Sequence, residues 1–154
     1  MHADPLLDLD AEARLALVDV TVRYCWAIDE RDWATLGSVF TKDAEVDYGF
    51  RPTLSGREAV QAYVEKVVAP LDRTQHLVTN HQFERVDGEL RSRCYFQAQH
   101  VRRGLEGGEN YIIAGIYRDA WSETEAGWQV HARTLEVLWT DGNPAVVGRI
   151  PKPD

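Results

Sequence analysis

Asp87-Gly88-Glu89-Leu90-Arg91-Ser92-Arg93-Cys94-Tyr95-Phe96-Gln97-Ala98-Gln99-His100-Val101-Arg102 is the stretch that decides the fold. Leu90, Cys94, Phe96, Ala98 and His100 fall on one side of a period-two pattern, and Arg91, Arg93, Gln97 and Gln99 fall on the other. Such alternation describes a strand with one face buried. The Asp-Gly before it stands between two alternating runs. It is a strong hairpin signal, because both residues accept the left-handed backbone of a tight turn. His100 closes the apolar side, so the pattern carries an imidazole inward near the strand's end.

Period two begins at residue 74 and persists. It predicts four long strands over about 74–86, 89–102, 110–122 and 127–139, broken at Asp87-Gly88, Gly104–Gly108 and Glu125-Ala126-Gly127. Upstream the period is helical. Leu15, Val18, Val22 and Cys25 follow the i, i+3, i+4 rule and predict a helix over residues 10–28. Asp32 suits the N-cap of a short helix, Trp33–Phe40. Ala44–Phe50 alternates like a strand, and Ser55-Gly-Arg-Glu58 reads as a capping box opening a helix over about 57–69, closed by Pro70. Helices followed by a meander predict an α+β fold, with helices on one face of an antiparallel sheet. A sheet of that length must curl, and its concave side together with the helices encloses a pocket.

With 154 residues, the chain fits one domain with a moderate core and no repeat, linker or low-complexity tract. Its formal charge of −8 argues against nucleic acid or an anionic membrane as partner, since both require clustered cations. No apolar run approaches the roughly 18 residues of a membrane span. The opening Met-His-Ala-Asp-Pro-Leu-Leu-Asp lacks the pattern of a secretory signal. Cys25 and Cys94 form no CxxC spacing and are read as reduced structural thiols, as expected in cytoplasm.

The candidate chemistry lies in Asp29, His76 and His100. Extending the first helix's apolar stripe by one turn lands on Asp29, and a buried carboxylate without a partner is costly. Spacing alone leaves two alternatives: an inward acid, or a residue that is solvated or caps the next helix. His76 ends the run Arg73-Thr74-Gln75-His76. It is placed with Val78 and Asn80, whereas His81 is placed with Leu77 and Phe83, so the two imidazoles are expected to face opposite ways. A metal site needs converging ligands, and none is expected here. Two imidazoles and a carboxylate form a proton-transfer set, because histidine titrates near neutrality and a carboxylate fixes its tautomer. No cofactor is expected. His2, His81 and His131 are read as surface residues, and Trp26, Trp33, Trp121 and Trp139 mostly as core.

Taken in order, several motifs resemble scytalone dehydratase and its relatives in the SnoaL-like, nuclear transport factor 2-like superfamily. They are Tyr24-Cys25-Trp26-Ala27-Ile28-Asp29-Glu30-Arg31-Asp32-Trp33, Val46-Asp47-Tyr48, Arg73-Thr74-Gln75-His76, Gln99-His100-Val101-Arg102, and Gly127-Trp128 with Trp139. The resemblance covers roughly residues 10–140 and implies a single SnoaL-like domain shaped as a cone-like barrel, with residues 141–154 as a C-terminal arm. It also implies an Asp–His elimination site. Asp29, His76, His100 and Tyr48 would be catalytic, and more distant dehydrochlorinase and bile-acid dehydratase branches suggest Tyr24 and Arg133 as well. Strict alternation from Trp128 puts Arg133 outside, so it enters the pocket only if a bulge re-aims it. Trp26, Val78, Phe96 and Tyr117 are the expected substrate contacts. Gly115 and Tyr117 replace the serine and asparagine of the dehydratase pattern, so substrate hydroxyls must be held differently. The implied activity is a cofactor-free lyase acting on a small, largely apolar cyclic, polyketide-like or steroid-like compound. An isomerase or cyclase on the same site is the alternative within enzymes, and a non-catalytic binding or assembly module the alternative outside them. Homo-oligomerisation, as dimer or trimer through the outer sheet face, is implied too.

Overall fold

The computed structural model describes residues 9–49 and 52–148. Its first helix, α1 (Ala11–Glu30), begins where Asp10 accepts a hydrogen bond from the Ala13 amide, and ends where Arg31 turns left-handed at φ 59°. Leu17, Val20, Thr21, Tyr24, Cys25 and Ile28 form its buried stripe. Leu15, expected on that stripe, lies outside it and is 70% exposed. Trp26 is 61% exposed for the same geometric reason: neighbours 24, 25 and 28 occupy the inward positions.

Helix α2 (Trp33–Ser38) is capped by Asp32, as expected. Helix α3 (Arg57–Val68) starts at Gly56 with no side-chain cap, which corrects the capping-box reading: the Ser55 hydroxyl instead donates to Glu45. Strands β1 (Phe40–Asp47) and β2 (Leu54–Ser55) precede the four long ones, β3 (Arg73–Val86), β4 (Glu89–Val101), β5 (Asn110–Thr124) and β6 (Gly127–Gly142). The order across the sheet is β2-β1-β6-β5-β4-β3. The long strands pair antiparallel, while β1 joins β6 in parallel, which hydrophobic alternation did not reveal. Phe50, the expected last residue of the early strand, lies outside the described residues, as do His2 and 149–154.

Three irregularities in the antiparallel pairing of the long strands set which of their side chains reach the core. In β3 the register slips by one between Thr79 and Gln82, with Asn80 left-handed at φ 58°. That bulge puts His81 and Phe83 on the same side as His76, correcting the expectation that the two imidazoles face apart. In β6 an extra residue between Val130 and Ala132 turns Arg133 inward. A second, between Val137 and Trp139, turns Trp139 outward to 47% exposure, so it is not core. Trp121 is buried and Trp33 packs partly buried against the core, as expected. Among the described residues no helix is long and apolar enough to cross a membrane.

Over its described residues, 143–148, the segment after β6 is not the irregular arm expected of 141–154. Pro144–Val147 forms a 3-10 turn with Val146 fully buried, and Asn143 donates to the carbonyls of Glu106 and Gly108. It therefore packs on the loop between β4 and β5.

Candidate active site

Asp29 sits in the last turn of α1, and β3 passes directly beneath it. Its carboxylate accepts three hydrogen bonds from that strand. The Thr74 hydroxyl donates to Oδ1 at 2.8 Å, the His76 amide donates to Oδ2 at 2.9 Å, and His76 Nδ1 lies 2.7 Å from Oδ1. Burial pushes the Asp29 carboxyl up, but the His76 ring, the His76 amide and the Thr74 hydroxyl outweigh it and hold the group below the usual carboxylate range. Asp29 is thus ionised at neutral pH. An ionised carboxylate facing Nδ1 keeps the proton on that nitrogen and leaves Nε2 as the basic one. The two side chains are 7% (His76) and 16% (Asp29) exposed, so bulk water competes little for this pair.

His76 opens onto a cavity of about 90 Å³ between α1, α3 and the concave face of the sheet. Tyr24, Tyr48, Phe96, His100 and Tyr117 line it too. His100 is 6% exposed, engages the Tyr111 carbonyl through Nδ1 at 3.2 Å, and meets His76 edge to face with ring centroids 5.9 Å apart. Tyr24 and Tyr48 share a hydrogen bond of 3.0 Å between their hydroxyls. Burial raises both phenols, Tyr48 well above the ordinary value, so both are neutral donors. Phe96 and Tyr117 stack at 4.3 Å to form one wall. Val78 corrects the expectation: it is partly buried against the core but does not line the cavity, and Trp26 points to solvent.

Arg133 is buried but does not line the cavity either. Its Nε and one terminal nitrogen each donate to an Asp119 carboxylate oxygen at 2.7 Å, and its guanidinium lies against the rings of Tyr24 and Tyr117. Asp119 escaped sequence reasoning, since a single acid within an alternating strand resembles any surface carboxylate. Also unforeseen were the contributions of α3, Tyr63, Val64, Val67 and Val68, which form the cavity's helical wall. The surface histidines are corrected as well. His81 bonds the Thr21 hydroxyl at 2.8 Å, and His131 bridges Ser122 and Glu89; both are half-buried. Cys25 and Cys94 are buried free thiols pushed up to about 12 by burial, which makes them poor nucleophiles.

A larger groove, of about 730 Å³, opens among the charged side chains Glu84, Arg91, Arg93 and Arg118. No histidine is among its lining residues, and the Asp29–His76 pair makes the smaller cavity the candidate site. Among the described residues, no three His, Cys, Asp or Glu side chains converge to hold a metal.

The profile of the SnoaL-like domain matches residues 10–134. Solved structures share the fold. A scytalone dehydratase candidate from Novosphingobium aromaticivorans is 24% identical, with a TM-score of 0.74 over 92% of this chain and 99% of its own. A type 2 hexachlorocyclohexane dehydrochlorinase, LinA, is 20% identical, with a TM-score of 0.75 over 91% and 95%. Kfla4162 from Kribbella flavida is 18% identical, with a TM-score of 0.78 over 86% and 95%. At these identities the likeness is one of fold. Among curated proteins none matches the sequence.

Proposed function

We propose that this chain, which belongs to the SnoaL-like domain family, is a lyase that eliminates water or a comparable leaving group from a small, neutral ring compound without a cofactor. The observation that carries the reading is the 2.7 Å contact between Asp29 and His76 at the wall of an apolar cavity. His76 Nε2 takes a proton from a carbon beside a carbonyl. The electron pair moves toward the carbonyl oxygen, where the tyrosine hydroxyls stabilise the growing charge. As that charge returns, the carbon–oxygen bond to the leaving hydroxyl breaks and His100 supplies the proton that makes it water. Asp29 keeps His76 in the competent tautomer and stabilises the imidazolium it becomes.

Size and charge narrow the substrate. The cavity of about 90 Å³ is smaller than the roughly 150 Å³ cavity that takes a benzene ring, so a single small ring is favoured over a steroid-like nucleus. No lysine or arginine is among its lining residues, which favours an uncharged compound. The two buried, unpaired thiols suit a reducing compartment such as cytoplasm. Leu77, Tyr95, Leu138 and Trp139, between 47% and 53% exposed, suit association of copies through the outer sheet face.

The test follows deuterium exchange at the α-carbon of cyclopentanone in heavy water by NMR, which isolates proton removal from the leaving group's identity. The native chain should accelerate exchange. His76→Ala and Asp29→Asn should each lose about 100-fold or more of that acceleration with the fold intact. Full exchange in both variants would refute the assignment.

A further inference from the structure

Asp119 and Arg133 form an ion pair whose side chains are 1% and 0% exposed. Such a pair is a poor way to stabilise a fold, because the desolvation of two charges offsets their attraction and apolar replacements often do as well. Its surroundings suggest another use. The guanidinium carbon lies 4.4 Å from the Tyr24 ring centre and 4.3 Å from that of Tyr117. Nη1 finds no hydrogen-bond partner among the described residues, and the Tyr24 and Tyr117 rings lie against the cation. Tyr24 is in turn hydrogen-bonded to Tyr48, and both line the cavity that the ion pair does not reach.

Two hydroxyls 3.0 Å apart share one hydrogen, and the one that accepts keeps its own hydrogen for another partner. A cation against the Tyr24 ring draws electron density from that phenol, making it the better donor and the poorer acceptor. We propose that Asp119 and Arg133 are positioning residues: held by Asp119, the Arg133 guanidinium polarises Tyr24 so that Tyr24 donates to Tyr48, and Tyr48 donates to an oxygen of the bound ligand. Each bond in such a chain strengthens the next. Without Asp119 the guanidinium would be free to turn toward the cavity and act as a direct contact. With it, the cation works one residue removed and the guanidinium stays out of the cavity. This deepens the elimination reading, on which its purpose rests, but its geometry stands apart from turnover.

The test is the infrared carbonyl stretch of ¹³C-labelled cyclopentanone bound to the full chain, which falls as hydrogen-bond donation to the oxygen strengthens. The native chain should give a lower frequency than Tyr48→Phe. The double variant Asp119→Asn/Arg133→Gln, which keeps amides where the charges stood, should move at least halfway toward Tyr48→Phe. Tyr24→Phe retains the ion pair and should move as far, which keeps the test decisive if the double variant does not fold. An unshifted stretch in either variant overturns the proposal. So does a native stretch equal to that of Tyr48→Phe, or a ketone that does not enter the cavity. A native red shift in a chain that fails to exchange α-protons leaves this inference standing and removes the elimination reading instead.

Discussion

Asp29 accepts hydrogen bonds from Thr74, from the His76 amide and from the His76 ring, and these keep its carboxyl below the ordinary carboxylate range. A group whose proton affinity is lower folded than unfolded contributes stability above its unfolded pKa and loses it as pH falls toward the folded one. Unfolding in urea at stepped pH should therefore show stability declining from about pH 4 downward. The decline should be shallower in Asp29→Asn. An equal slope in both proteins would mean that the carboxylate is not selectively held in the folded state. At Arg133 the expected effect is larger. Arg133→Met leaves Asp119 charged and buried without its partner, and should cost about 3–5 kcal/mol in denaturant unfolding.

At the scale of elements, the bulges divide what was legible from what was not. Alternation located all four long strands to within three residues at either end, and it placed Phe96, Ala98 and His100 inward on β4, where the pairing with β3 and β5 is uninterrupted over that span. It failed on β3 past Asn80 and on β6, because one inserted residue inverts every later side chain and leaves no mark in hydrophobicity. Asn80 was the available hint, since asparagine tolerates the left-handed backbone that β-branched residues resist. Asn80→Val should accordingly lose about 1–3 kcal/mol of stability, measured by urea titration. Gly115 marks the other close approach: a Cβ there would lie 2.0 Å from the Glu136 carbonyl oxygen. Gly115→Ala should cost about 3 kcal/mol or force the β5–β6 pairing apart, seen as lost amide protection along those strands.

Across the whole molecule, the helices and the concave sheet are joined at one point of chemical consequence, where the end of α1 meets the start of β3. Asp29, His76, His100, Tyr24 and Tyr48 were legible because their spacing matches a known order of motifs. Asp119 and the α3 wall were not: Asp119 stands behind the cavity through Arg133, and α3 lines it only through three-dimensional packing. The outer face carries its own expectation: a double change, Tyr95→Glu with Trp139→Glu, should convert an oligomer to monomer in sedimentation velocity, and a native chain that sediments as monomer would contradict it. The ¹⁵N spectrum of the His76 ring at neutral pH reads where the ring proton sits. An Nδ1–H tautomer is predicted in the native chain, giving way to Nε2–H or a mixture in Asp29→Asn. A native ring protonated at Nε2 would rule out His76 as the base, because the nitrogen facing the cavity would then have no lone pair with which to take a proton.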